Sequence, residues 1–139
     1  MNTRTFALIF GIVFLIVGAG GFLTDVTLMA PHSDPRISVG TLFGYELGMF
    51  PVNVLHSIVH VLFGIWGLLA YKSLSASKGY FKAVAIIYAL LTVMGLVPAL
   101  NTTFGLIPLF GHDVWLHALL AVVAAYFGFV HRDTVGDRT

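Results

Sequence analysis

Apolar residues run along this chain in four long blocks, at about 5–24, 51–71, 80–100 and 112–131. An α-helix rises about 1.5 Å per residue, so roughly 20 apolar residues cross the ~30 Å hydrocarbon layer of a bilayer. Each block reaches that length. None alternates long enough to read as a half-buried strand, and an isolated hairpin cannot span lipid, because its edge amides and carbonyls would go unpaired. The pattern predicts an all-α fold: one integral membrane domain over 1–139, built as a four-helix transmembrane bundle.

Each block also carries a stripe that is not greasy. Asn53, His56, His60, Gly64 and Gly67 lie three or four apart and share one helix face. Matching stripes are Ala7, Gly11, Phe14, Gly18 and Gly21 in the first block, Ala85, Tyr88, Thr92 and Gly95 in the third, and His117, Ala121, Ala124 and Gly128 in the fourth. Small and polar residues are wasted on lipid but let helix backbones approach one another, so these faces should turn inward.

The connections differ in kind. The first, residues 25–50, opens polar, with Pro31 and Asp34-Pro35 barring a helix, then turns apolar through Leu42, Phe43, Tyr45, Leu47, Met49 and Phe50. It reads as an interfacial loop holding a short helix or re-entrant piece. The second, Ser73 to Gly79, reads as a turn between antiparallel helices. The third, Asn101 to Gly111, is apolar enough to hug the bundle surface.

Composition and charge settle the solvent and the orientation. The chain is 58% hydrophobic and 9% charged, against about 25% charged in a soluble domain. A net charge of +1 offers no basic field for nucleic acid, and the absence of cysteine removes thiol and iron–sulfur chemistry. Arg4, Lys72, Lys78, Lys82, Arg132 and Arg138 fall on one side of the four blocks, and only Arg36 on the other. The positive-inside rule makes the richer side cytoplasmic, with both termini in. Phe6 to Val17 followed by small residues resembles a signal sequence. The apolar run continues through Leu23, however, and suits a retained helix better.

There is a faint internal repeat. Thr41, Phe43, Gly44, Leu55, His56, Val61 and Gly67 recur at a constant offset of 61 as Thr102, Phe104, Gly105, Leu116, His117, Val122 and Gly128. Phe6, Leu15 and Gly20 recur at an offset of 75 as Phe81, Leu90 and Gly95. This is the pattern of a two-hairpin pseudo-repeat about an axis along the membrane normal.

Candidate chemistry gathers at the extracytoplasmic ends of the blocks: Asp25; Asn53, His56 and His60; Asn101; Asp113 and His117. Ionisable groups at membrane depth are costly and ask for a reason. The first reading is structural: buried imidazoles bonded to Asn53, a loop carbonyl or a helix terminus, within a polar cluster of Asn53, Asp25 and Asn101. The second is a cofactor site, with His56 and His117 as axial ligands of a haem b, or one of them holding a chlorophyll, and His60 nearby. In a variant of it, His56, His60 and His117 with Asp113 or Glu46 hold a metal ion, because an i, i+4 histidine pair can chelate. His-x-x-x-His here lacks the glutamate of a zinc hydrolase, and no phosphate loop, nucleophile elbow or carboxylate pair is present. His32 and His131 read as solvated, and His112 as interfacial.

Phe6-Ala-Leu…Gly11, Asn53-Val-Leu-His56-x-x-x-His60, Gly105-Leu-Ile-Pro108-Leu and Asp113-Val-Trp-Leu-His117 resemble a family of small bacterial four-span membrane proteins known as domain of unknown function 4383. The stretch Pro31 to Arg36 is similar to its cyanobacterial type. The resemblance implies four spans, a retained first helix and the bacterial cytoplasmic membrane, or a thylakoid in a cyanobacterium. It implies no activity, cofactor or partner. The reading is therefore a non-catalytic accessory or scaffold protein whose partners are the lipid bilayer and other membrane proteins or copies of itself. The alternative is a histidine-ligated haem, chlorophyll or metal protein with a redox role.

Overall fold

A computed structural model describes residues 2–23 and 27–134. Asp25 and Arg138 lie outside the described residues. Four helices carry the fold: α1 (Thr3–Gly20), α2 (Val54–Ala70), α3 (Leu74–Leu96) and α4 (His112–Ala125), the last continued by a π-helical turn, Tyr126–Val130. Three short strands, β1 (Thr27–Met29), β2 (Gly44–Glu46) and β3 (Phe50–Val52), lie between α1 and α2.

Side-chain caps set where three helices begin. Asn2 Oδ1 accepts from Thr5 N at 2.8 Å, Asn53 Oδ1 from His56 N at 3.0 Å and Ser73 Oγ from Ala76 N at 3.2 Å. Two boundaries move as a result. α2 starts after Asn53, not at 51. The serine-rich stretch 73–79, expected as a turn, forms the cap and opening turns of α3, because a serine that caps amides starts a helix. α3 stops at Leu96, short of the expected 100. Pro98 holds the preceding Val97 extended, at φ −98° and ψ 113°.

The first connection corrects another expectation. In place of a short helix it folds as an antiparallel sheet in the order β1-β2-β3, with Leu28 opposite Tyr45 and Tyr45 opposite Pro51. Leu47 (φ 52°) and Gly48 (φ 71°) are left-handed and turn the chain between β2 and β3. Strands of three residues are too short to leave a period in the sequence.

α1 packs along α2, and α3 along α4, more extensively than the two pairs pack on each other. The first pair meets at backbone depth. A Cβ on Gly67 would lie 2.7 Å from Gly11 Cα, and one on Gly64 2.8 Å from Leu15 N. In the second pair, a Cβ on Gly128 would lie 2.9 Å from Lys82 N. Ala7, Phe14, Phe81, Val84, Tyr88, Ala124 and Phe127 fill the core. The outward faces are apolar instead of charged: Ile12 and Ile16 on α1, Leu62 and Leu69 on α2, Ile86 and Leu90 on α3, Leu119 and Val122 on α4 are all exposed. α1, α3 and α4 with its π turn are long and apolar enough to cross a membrane; α2 is apolar but shorter, at 17 residues. The helices fit an all-α bundle and are compatible with a multi-pass membrane protein.

Candidate functional site

The bundle has two polar ends. At the end that carries the sheet, α2 and α4 bring three histidines together. His56 and His60 stand one turn apart on α2, with ring centroids 4.5 Å from each other, and His117 on α4 is 6.0 Å from His56. All three are buried, with 3%, 7% and 2% exposure. Each offers one ring nitrogen to a group whose members lie within 4.8 Å of one another. Among the described residues, no Nδ1 of the three has a hydrogen-bond partner at normal length. The Phe14 ring stacks on His60 at 5.7 Å, and Tyr88 stands nearly perpendicular to His117 at 5.0 Å. Both were legible as stripe residues, but nothing in the sequence put them against imidazoles.

Asn53 does something other than orient a histidine ring. It caps α2, and its Nδ2 donates to Val39 O at 2.9 Å and Leu106 O at 2.7 Å, tying the first and third connections together over the helix end. The loops also join directly, through Ser38 N to Gly105 O at 2.8 Å. The two connections are thereby tied together above the histidines.

Asp113 is buried in the first turn of α4, with Oδ2 3.7 Å from His56 Nδ1, beyond hydrogen-bond length. It stands beside the three-nitrogen group and is not a member of it. Glu46, on β2, is buried over the end of α1. A Cβ on Gly20 would sit 2.2 Å from its Oε1, so that glycine makes room for the carboxyl. Burial pushes the Glu46 carboxyl up to about 7. Asn101 lies in the third connection, with its carbonyl accepting from Leu109 N at 2.8 Å and its Oδ1 buried and unpaired, outside the three-nitrogen group.

Two apolar clefts reach the histidines from opposite flanks. One, of about 170 Å³, runs between α1 and α4 past Phe10, Val13, Leu116 and Leu120 to His60 and His117. The other, of about 190 Å³, runs between α2 and α3 past Phe63, Ile87, Leu91 and Ile107 to all three. Pockets for drug-sized ligands start at about 300 Å³. Each cleft is smaller than that range, whereas a single ion needs only the space among the nitrogens.

The opposite end holds a different polar cluster, which the sequence did not reveal. Asp133, past the π turn, accepts from Thr3 N and Thr3 Oγ1, both at 2.7 Å, and meets Lys78 Nζ at 3.2 Å. Lys78 also donates to the carbonyls of Phe127 and His131. Burial pushes the Asp133 carboxyl up, but the Thr3 amide and hydroxyl and the Lys78 ammonium outweigh it and hold the group below its usual range. His131, expected in solvent, is half-buried here against Tyr126 and Phe127. His32 is exposed; so is His112, whose Nδ1 accepts from Trp115 Nε1 at 2.8 Å.

A family profile described as domain of unknown function (DUF4383) matches residues 4–130. No curated protein and no solved structure matches the chain.

Proposed function

The chain belongs to the domain of unknown function 4383 family, and from that premise we propose that it is a non-catalytic, multi-pass protein of the bacterial cytoplasmic membrane that serves as a rigid accessory or scaffold component. The observation that carries this reading is the backbone-deep seating of α1 on α2 through Gly11, Gly64 and Gly67, beneath outward faces that stay apolar on all four helices. Such a body is stiff within and greasy without, and it has lipid or the helix of another membrane protein to rest against. A conduit is a poor fit. The core away from the histidines is filled by Ala7, Phe81, Val84, Ala124 and Phe127, which leave no polar line through the bundle.

Both ends face the cytoplasm in this reading. Arg4, Lys72, Lys78, Lys82 and Arg132 belong to the end where Thr3 meets Asp133, and the positive-inside rule assigns that end. The two helix pairs are halves of one repeat. Gly67 and Gly128, equivalent in sequence, seat on Ala7 and Lys82, which are equivalent in turn. A haem or chlorophyll between the halves is disfavoured by the size of the clefts.

Two experiments test the reading. The chain has no cysteine, so single cysteines report sidedness cleanly. Ser33→Cys should react with an impermeant maleimide from outside the cell, and Ser75→Cys only after permeabilisation. Photocrosslinkers at the exposed Ile16 and Leu62 should capture a protein in the native membrane, and proteoliposomes should leak ions no faster than empty vesicles. Ion flux, adducts to lipid alone, or a Soret band that disappears in His56→Ala would overturn the scaffold role.

A further inference from the structure

We propose that His56, His60 and His117 bind one transition-metal ion of the imidazole-preferring class, zinc or copper, with Asp113 behind His56 as a positioning carboxylate. This goes beyond the scaffold reading and does not depend on it.

Three independent observations converge. First, the geometry is close to a coordination shell. Metal–imidazole bonds of about 2.0–2.1 Å place neighbouring nitrogens about 3.3–3.5 Å apart in a tetrahedron. Nitrogens already within 4.8 Å of one another reach that by small ring rotations.

Second, the polar accounting fails without a ligand. Buried polar atoms in folded proteins are nearly always paired. Among the described residues, the Nδ1 atoms of three adjacent histidines make no hydrogen bond of normal length, although the His56 ring is near enough to the Pro51 backbone to interact with it, and Asp113 Oδ2 beside them is unpaired as well. Asn53, the polar side chain nearest in sequence, is already committed to the helix cap and the two loops. Rings that merely locked the bundle together would bond to it. These three are held in place by Phe14, Tyr88 and one another.

Third, the donor set selects the ion. Three imidazoles with no oxygen in the group reject calcium and magnesium, which want oxygen ligands, and suit zinc or copper. Asp113 Oδ2, 3.7 Å from His56 Nδ1, reaches that nitrogen by a small rotation, which leaves Nε2 of His56 to face the ion while the carboxylate offsets the ion's charge. Three protein ligands leave a coordination position free. It is approached through the two apolar clefts that reach the histidines.

The test uses the full-length protein, stripped of metal in detergent. Titrated with Co²⁺, it should develop the visible bands of a low-symmetry nitrogen site at one ion per chain, and Zn²⁺ should displace them. His56→Gln and His117→Gln should each weaken binding at least ~100-fold, and Asp113→Asn about 10- to 100-fold. His112→Ala, an exposed histidine outside the group, should bind as the wild type does. Zn²⁺ should raise the wild-type melting temperature in proportion to the logarithm of its concentration, and should not raise that of His117→Gln. If a glutamine variant fails to fold, X-ray absorption of the zinc-loaded wild type decides, by showing or lacking imidazole scattering from three rings. A wild type that takes up no ion, or variants at the three positions that bind as tightly as it does, would overturn the site. None of these outcomes bears on sidedness or crosslinking, so the scaffold reading stands or falls separately.

Discussion

The end around Asp133 buries fewer polar side chains than the end around His56, and the two clusters differ in how they are bonded. Around Asp133, Thr3 and Lys78 are bonded, and nearby Ser77 Oγ donates to Ala70 O at 2.9 Å. Around His56, among the described residues, one nitrogen (Nδ1) of each of three rings and an oxygen of Asp113 are left over. In the helical core between them, the Tyr80 hydroxyl is also unpaired. The contrast separates two uses of buried polarity. A satisfied network fastens chain segments together, and its value is stability. An unsatisfied one costs stability and persists where something else is to be bound.

That distinction can be broken by mutation. The largest loss should follow Asp133→Ala, which strands the Thr3 amide and hydroxyl and the Lys78 ammonium; about 2–4 kcal/mol is expected by denaturant unfolding in detergent. The carboxyl is held low in the folded chain, so its contribution is present above the unfolded value of about 4 and is lost as pH falls through the folded one. Asp133→Asn should erase that acid dependence.

Gly67→Ala should cost about 1–3 kcal/mol, because the added methyl meets Gly11 backbone at 2.7 Å and cannot be absorbed by a rotamer change. A loss at Gly67 as small as that of Gly79→Ala, where a Cβ meets nothing, would refute the close seating of α1 on α2.

Glu46 should show the opposite pH sign to Asp133. Its folded value of about 7 lies above the unfolded one, so the folded chain keeps its proton longer. Its contribution is full below pH ~4.5 and declines as pH rises to ~7, and Glu46→Gln should flatten that decline in a melting-temperature series.

The smallest effect sharpens the comparison most. In metal-free protein, His60→Leu removes an unpaired polar group and should leave stability within about 1 kcal/mol of wild type, or raise it. A loss as large as that of Asp133→Ala would mean the histidines are a structural network after all.

Much of the fold was legible because long apolar helices follow a simple rule. Their outward positions are apolar, so the small and polar residues left over mark the inside. Gly11, Gly18, His56, Gly64, Gly67, His117 and Gly128 are buried as the stripes implied. The sheet between α1 and α2 was not legible, since each strand has three residues and its hairpin turns partly on Leu47, which has no turn preference. Ser73 was read as a turn former where it acts as a helix cap, and Asn53 as a ring partner where it caps and ties loops. Both errors come from the same ambiguity: a short polar side chain can bond to whichever backbone group the fold brings near. Asp133 gave no signal, because its partner Thr3 lies at the far end of the chain.

What the sequence determined by itself was the number of helices, their inward faces and the histidines' place on those faces, because apolar length and a period of 3.6 are local properties. What only the tertiary structure decided was that α2 and α4 stand next to each other at the level where His56, His60 and His117 meet, and that among the described residues their Nδ1 atoms are left without a hydrogen bond of normal length. Helix adjacency is set by packing between segments distant in the chain, and an unpaired atom is visible only once every neighbour is in place.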